Sequence, residues 1–294
     1  VEATYSREKT MTKHKGNRPA EIFGYYFHDT SAEAGQARKK HWCPFMERPC
    51  SKNSRLIDYP FGVCTVEHGG GFYTICPHRF EEKGKTEGLP LVLENIALHY
   101  FGDLTNLLLF SEVRLPNVGT IDFVLVRHKP VKADVEDFIP VEFQSDSTTG
   151  TSPLVQGLKN FVAGENILDR TYNFGINTYD TIKRSITQLF NKGIVYENWG
   201  IKSYWVIQEY IYANLAKRYG LKREGYSKEH ASCFALQEFS SNGYNLSLHP
   251  TRFVSVSVDE IYQAMRNNPG LPNKEQFVAT LNDKLKARLS LKFD

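Results

Sequence analysis

The stretches "GTIDFVLV" (residues 119–126) and "PVEFQS" (residues 140–145) each set polar groups inside an apolar run: Asp122 in the first, Glu142 and Gln144 in the second. In a strand alternate side chains share a face, so Glu142 and Gln144 point one way while Val141 and Phe143 point the other. An acid in such a run needs water, a partner or a metal, because burial of an unpaired charge is too costly to be incidental. Carboxylates brought close together repel unless a cation joins them.

Working outward, "LLLFSEVRL" (107–115) adds a third strand-like run, with Glu112 at its middle, set off by "PNVG" and by the polar "RHKPVKADVE". Upstream, "GLPLVLENIALHYFGD" (88–103) reads as a helix with Glu94 in its first turns. Downstream, a loop rich in Ser, Thr and Gly leads to "NTYDTIKRSITQLFNKG" (177–193), an amphipathic helix with Ile182, Ile186, Leu189 and Phe190 on one side and Gly193 as its stop. "KSYWVIQEYIY" (202–212) follows as another strand, with Gln208 and Glu209 at its edge. The predicted order is helix, three strands, helix, strand, an α/β core. "SVDEIYQAMRNNPG" carries a capping box in Ser257 and Glu260, and "NKEQFVATLNDKLKARLSL" repeats the idea with Asn273 and Gln276. Both are expected to pack as structural additions.

Four of the five cysteines, Cys43, Cys50, Cys64 and Cys76, fall within "HWCPFMERPCSKNSRLIDYPFGVCTVEHGGGFYTICPHRF" (41–80), and Cys233 stands alone. Turns between short strands cannot build much core, and four thiolates gathered by them suit a tetrahedral site for zinc or iron. The spacing C-x6-C-x13-C-x11-C lacks tight C-x2-C knuckles, and free cysteines also serve as small buried hydrophobes. His41, His68 and His78 are substitute ligands.

The net charge of +3, from 36 basic and 33 acidic residues, does not announce a polyanion binder. Basic residues concentrate at the front, in "REKTMTKHKGNR" (7–18) and "ARKKH" (37–41). Lys183, Arg184, His128, Lys129 and Lys132 are further candidates for phosphate contact, against the commoner reading of a solvated face. With no long apolar run and no signal-peptide pattern, a soluble, cytoplasmic protein without a membrane partner is expected.

An acid at the start of the second strand and an acid-x-polar pair on the third, over residues 90–210, resemble the PD-(D/E)XK nuclease core. Together with "CPF", "CSK", "FGVC" and "ICPHRF" upstream, the chain resembles NotI-like type II restriction endonucleases. That resemblance implies a homodimer cutting double-stranded DNA within a palindromic site, using Mg2+, with a separate structural iron held by cysteines. It divides the chain into a basic arm and four-cysteine metal-binding module, residues 1–86, and a catalytic domain with C-terminal helices, residues 87–294.

Carried over residue by residue, Asp122 is the metal-binding aspartate and Glu142 the acid of the third strand. Gln144 stands where most PD-(D/E)XK enzymes have lysine, and NotI-like enzymes resemble this chain in having glutamine there. The upstream acid is Glu94, from the helix, or Glu112, from the neighbouring strand. Mg2+ prefers oxygen ligands, so the two carboxylates with the backbone carbonyl of Phe143 form its expected site. Gln144 is placed to hydrogen-bond the attacking water and has no proton-accepting role. The competing readings are a non-enzymatic, metal-dependent DNA-binding protein and a hydrolase acting on sugars through paired carboxylates.

Overall fold

The computed structural model describes residues 16–222, 225–268 and 270–290. Most of the basic stretch at 7–18 lies outside the described residues.

Nine strands carry the architecture: β1 Arg18–Ile22, β2 Val63–His68, β3 Gly71–Thr74, β4 Leu107–Leu115, β5 Gly119–His128, β6 Val135–Phe143, β7 Ser203–Gln208, β8 Ser232–Ser241 and β9 Leu246–Val256. The helices are α1 Ala32–Lys40, α2 Leu91–Phe101, α3 Thr151–Val162, α4 Thr178–Gln188, α5 Ile194–Trp199, α6 Glu209–Tyr219, α7 Val258–Arg266 and α8 Lys274–Ser290. A six-stranded mixed sheet runs in the order β9-β8-β7-β6-β5-β4. β4, β5 and β6 form an antiparallel meander, β7 joins β6 in parallel, β8 joins β7 in parallel, and β9 closes the far edge antiparallel.

Helices cover both faces. Val92, Leu93 and Ile96 of α2 pack on Leu125, Ile139, Val141 and Phe143 of the meander. On the other face Ile182 and Ile186 of α4 and Ile211 and Leu215 of α6 pack on Trp205, Ile207, Phe234 and Leu236. The alternation of strand side chains supplies one apolar row to each layer.

The smaller sheet, β1 with β2 and β3, lies over α3: Ala20, Ile22, Val63 and Val66 share one apolar cluster with Leu154, Val155 and Leu158, and with Leu246 of β9. This cluster draws on both sides of the boundary expected at residue 86.

Four expectations change. The Ser/Thr/Gly-rich segment after β6 is not all loop but contains α3. Gly193 does not end a helix: its φ of −61° is right-handed, and the chain runs through a wide π turn, Leu189–Gly193, into α5, which stops at Gly200 with φ 68°. The strand expected over 202–212 gives way to α6 at Glu209. The two C-terminal helices also differ from each other: α7 buries Val258 and Ile261, whereas Lys274 to Leu289 of α8 is exposed throughout. The capping box of Ser257 and Glu260 is formed.

Candidate active site

The register of the meander builds the site. Phe123 of β5 stands opposite Val141 of β6, which sets the next residues out, Asp122 and Glu142, side by side on the face away from α2. β4 pairs Ser111 with Phe123 and Val113 with Ile121, so Glu112 is level with Asp122. Three carboxylates thus fall in one row across three adjacent strands. Glu112 has φ 52°, left-handed backbone in the middle of a strand, and strain of that kind collects at functional positions.

Glu142 is 2% exposed. Burial first, and then the charge of Asp122, push its carboxyl up to about 7, against the pull of Lys192. Asp122 is also raised by burial, opposed by the backbone N–H of Phe143, which donates to its Oδ2 at 2.8 Å, and by Lys192. The two carboxyl groups stand close enough that each acts on the other's proton affinity. Lys192 Nζ donates to Glu142 Oε1 at 2.7 Å and to the Thr120 carbonyl at 2.6 Å. Close by, Tyr196 of α5 is fully buried, its hydroxyl has no hydrogen-bond partner among the described residues, and burial with the charges of Glu142 and Asp122 holds its proton on.

Asp122, Glu112 and Phe143 open into a cavity of about 380 Å³ that Arg48, His78 and Glu81 also line. His78 Nδ1 lies 2.5 Å from Glu81 Oε1. A larger cavity, about 740 Å³, lies beside α7 around Gly220, Val256 and Gln263, remote from this row, and its Glu260 serves the cap of α7. The smaller cavity is the one that Glu112 and Asp122 line.

The other expected site residues stand as follows. Gln144 is buried just past β6; its backbone N–H donates to Val206 O at 2.9 Å and its side-chain amide to Ser145 O at 3.1 Å, so it is not bonded to either carboxylate. Glu94 accepts from the Lys85 N–H at 2.9 Å and the Thr86 hydroxyl at 3.0 Å, tying the loop before α2, and does not join the row. Lys183 and Arg184 pair with Asp180. Lys192 and Tyr196 carry no signal in the sequence: reading Gly193 as a helix stop hides the turn that delivers them.

The four cysteines converge. Burial pushes the Cys43 thiol up to about 11, with Cys76 and Cys50 adding to it, and raises Cys64 and Cys76, to which Cys76 and Cys50 add in turn. Lys52, whose Nζ donates to Ile75 O at 2.7 Å, sits among Cys76, Cys64 and Cys50. The thiols do not close into the expected tetrahedral cage, however: among the described residues no three His, Cys, Asp or Glu side chains are arranged as a metal-ligating group. The substitute ligands are engaged elsewhere, His41 between Phe23 and Tyr59, His68 against Tyr73 and Phe174, and His78 with Glu81. No helix among the described residues is long and apolar enough to cross a membrane.

Residues 27–225 match the family described as restriction endonuclease NotI. No curated protein matches the chain.

Proposed function

Since the chain belongs to the NotI restriction endonuclease family, and so is a site-specific deoxyribonuclease acting on double-stranded DNA, we propose that Asp122, Glu142 and Glu112 form its reaction centre, cutting within a palindromic site with Mg2+. The observation that carries this reading is the row of carboxylates across β4, β5 and β6, of which Glu112 and Asp122 line one cavity and Glu142 is buried beside Asp122. On this reading the six-stranded sheet is a PD-(D/E)XK core, Glu112 is the upstream acid, and Glu94 is a structural residue of the loop before α2.

The residues fit the ion. Burial raises the proton affinity of both carboxyl groups, and Asp122 raises that of Glu142 further; that crowded negative charge is what a divalent cation relieves. Hard oxygen donors from Asp122 and Glu142, with the Phe143 carbonyl, match the preference of Mg2+. When bound, Mg2+ supplies Lewis-acid charge at the scissile phosphate. The Phe143 N–H fixes one oxygen of Asp122, leaving the other for this task. Gln144 follows Glu142 on the same strand face and orients the attacking water through its amide.

The test is incubation with plasmid or phage DNA and Mg2+. The parent gives discrete fragments, and Asp122→Ala loses cleavage by about 10³-fold or more while still retarding DNA in Ca2+, the loss expected when a group acting only on the transition state is removed. Normal cutting by Asp122→Ala overturns the site assignment. The non-enzymatic DNA-binding reading and the sugar-hydrolase reading give way to family membership.

Two finer statements belong to the same proposal. Cys43, Cys50, Cys64 and Cys76 are read as ligands of a structural iron, with zinc as the alternative. The mutual approach of the thiols supports this and the lack of a formed cage does not. One metal atom per chain in elemental analysis supports the site, and none excludes it. A homodimer follows from symmetry, since a two-fold site is most simply read by two identical subunits. Light scattering of the DNA complex measures it.

A further inference from the structure

We infer that Lys192, delivered from the π turn between α4 and α5, is the cation of the reaction centre and donates to the substrate phosphate or the attacking water through the N–H that the fold leaves unused. The inference rests on the nuclease reading above.

An ammonium has three donors. Lys192 spends one on Glu142 Oε1 and one on Thr120 O, and no third acceptor is found among the described residues. The group is 7% exposed, and taking an ammonium out of water is expensive unless its geometry is well satisfied. A donor left over in this way is met by water or by a ligand oxygen. Here it remains beside Glu142, which Lys192 bonds, and within electrostatic reach of Asp122, which lines the cavity.

The delivery is specific too. π turns insert extra residues into helices and recur at functional sites. This one, Leu189–Gly193, turns Lys192 inward, and the helix that follows brings the buried hydroxyl of Tyr196, without a partner among the described residues, within reach of the charges of Glu142 and Asp122. Two polar groups from one segment are left incompletely bonded at one spot, which is costly in a packed interior and is repaid when a polar ligand arrives. A cation supplied in space by α4–α5 also explains why β6 manages with the uncharged Gln144.

The bland alternative is that Lys192 only neutralises Glu142. The experiment separates the two with Lys192→Met, the double variant Lys192→Met with Gln144→Lys, and Asp122→Ala as control. Single-turnover cleavage in Mg2+ is read beside the thermal midpoint and DNA affinity in Ca2+. Lys192→Met is expected to slow cleavage by about 10²–10³-fold, the range for loss of one preorganised electrostatic donor, with Ca2+-supported affinity within about threefold of the parent. The lysine restored at 144 is expected to return at least about tenfold of that rate.

Should methionine unfold the chain, Lys192→Gln, which keeps donors but no charge, is read in its place with the same expected loss. Cleavage by Lys192→Met within about threefold of the parent overturns the inference, as does a rate loss that only tracks a lowered midpoint and disappears on cooling. Active Lys192→Met with inactive Asp122→Ala sinks this inference alone. If Asp122→Ala also cuts, the reaction centre itself is misassigned.

Discussion

Glu142 joins the chemistry of the site to the stability of the fold. Burial and its neighbour Asp122 raise its folded-state pKa from 4.5 to about 7. The folded chain therefore holds this proton more tightly than the unfolded chain. That contribution to stability is complete below the unfolded value and is lost as pH rises through about 7. At higher pH the ionised carboxylate lacks this contribution, on the order of 1–3 kcal/mol. Urea unfolding without divalent ions should thus show a midpoint that falls between about pH 5 and pH 8. Glu142→Gln should flatten that slope, and Mg2+ should raise the midpoint more at the alkaline end, where no proton competes for the carboxylate. An unchanged slope in Glu142→Gln would assign the pH dependence to another group.

At the scale of elements, legibility follows how local the controlling interaction is. The capping box of α7 was readable because Ser257 and Glu260 satisfy each other within one turn. Ser257→Ala should cost about 1 kcal/mol in denaturant unfolding with no change in the rate of cleavage. The strands of the meander were readable from their alternation, and α2 from its apolar spacing. Gly193 shows the opposite case. Glycine before a polar segment commonly stops a helix by adopting positive φ. Here its missing side chain serves packing instead: a Cβ would stand 3.2 Å from Ser232 Oγ and 3.2 Å from Val258 Cγ2, atoms of β8 and α7. Nothing within the turn announces that contact. α3 was hidden differently, because Thr151, Ser152, Pro153 and Gly157 look like loop, yet Leu154, Val155 and Leu158 make an apolar stripe that meets β1. Gly157 permits the approach, since a Cβ there would come within 2.9 Å of Pro19.

Across the whole molecule, Arg79 holds the cysteine-bearing front end to the main sheet. It is 2% exposed, bonds Glu21 of β1 at 2.7 and 3.0 Å, reaches Glu82 at 2.6 Å, and donates to Leu246 O of β9 at 3.0 Å. Arg79→Ala leaves Glu21 buried and unpaired, and should cost about 3–5 kcal/mol in global stability, measured by denaturant unfolding. A cost near zero would mean the front end is held by the apolar cluster alone. By itself the sequence determined the strands of the meander, their alternation and therefore which residues are acids on a polar face, because period-two patterning and residue chemistry are local properties of the chain. Only the tertiary structure decided that Glu112 falls level with Asp122 and Glu142 while Glu94 turns to a loop, and that Lys192 and Tyr196 stand beside Glu142. Strand register is set by pairs such as Ser111 with Phe123 and Phe123 with Val141, and Lys192 by contacts with Thr120 and Glu142 in a distant stretch of the chain, and which residues will pair leaves no periodic trace in either partner's own stretch of sequence.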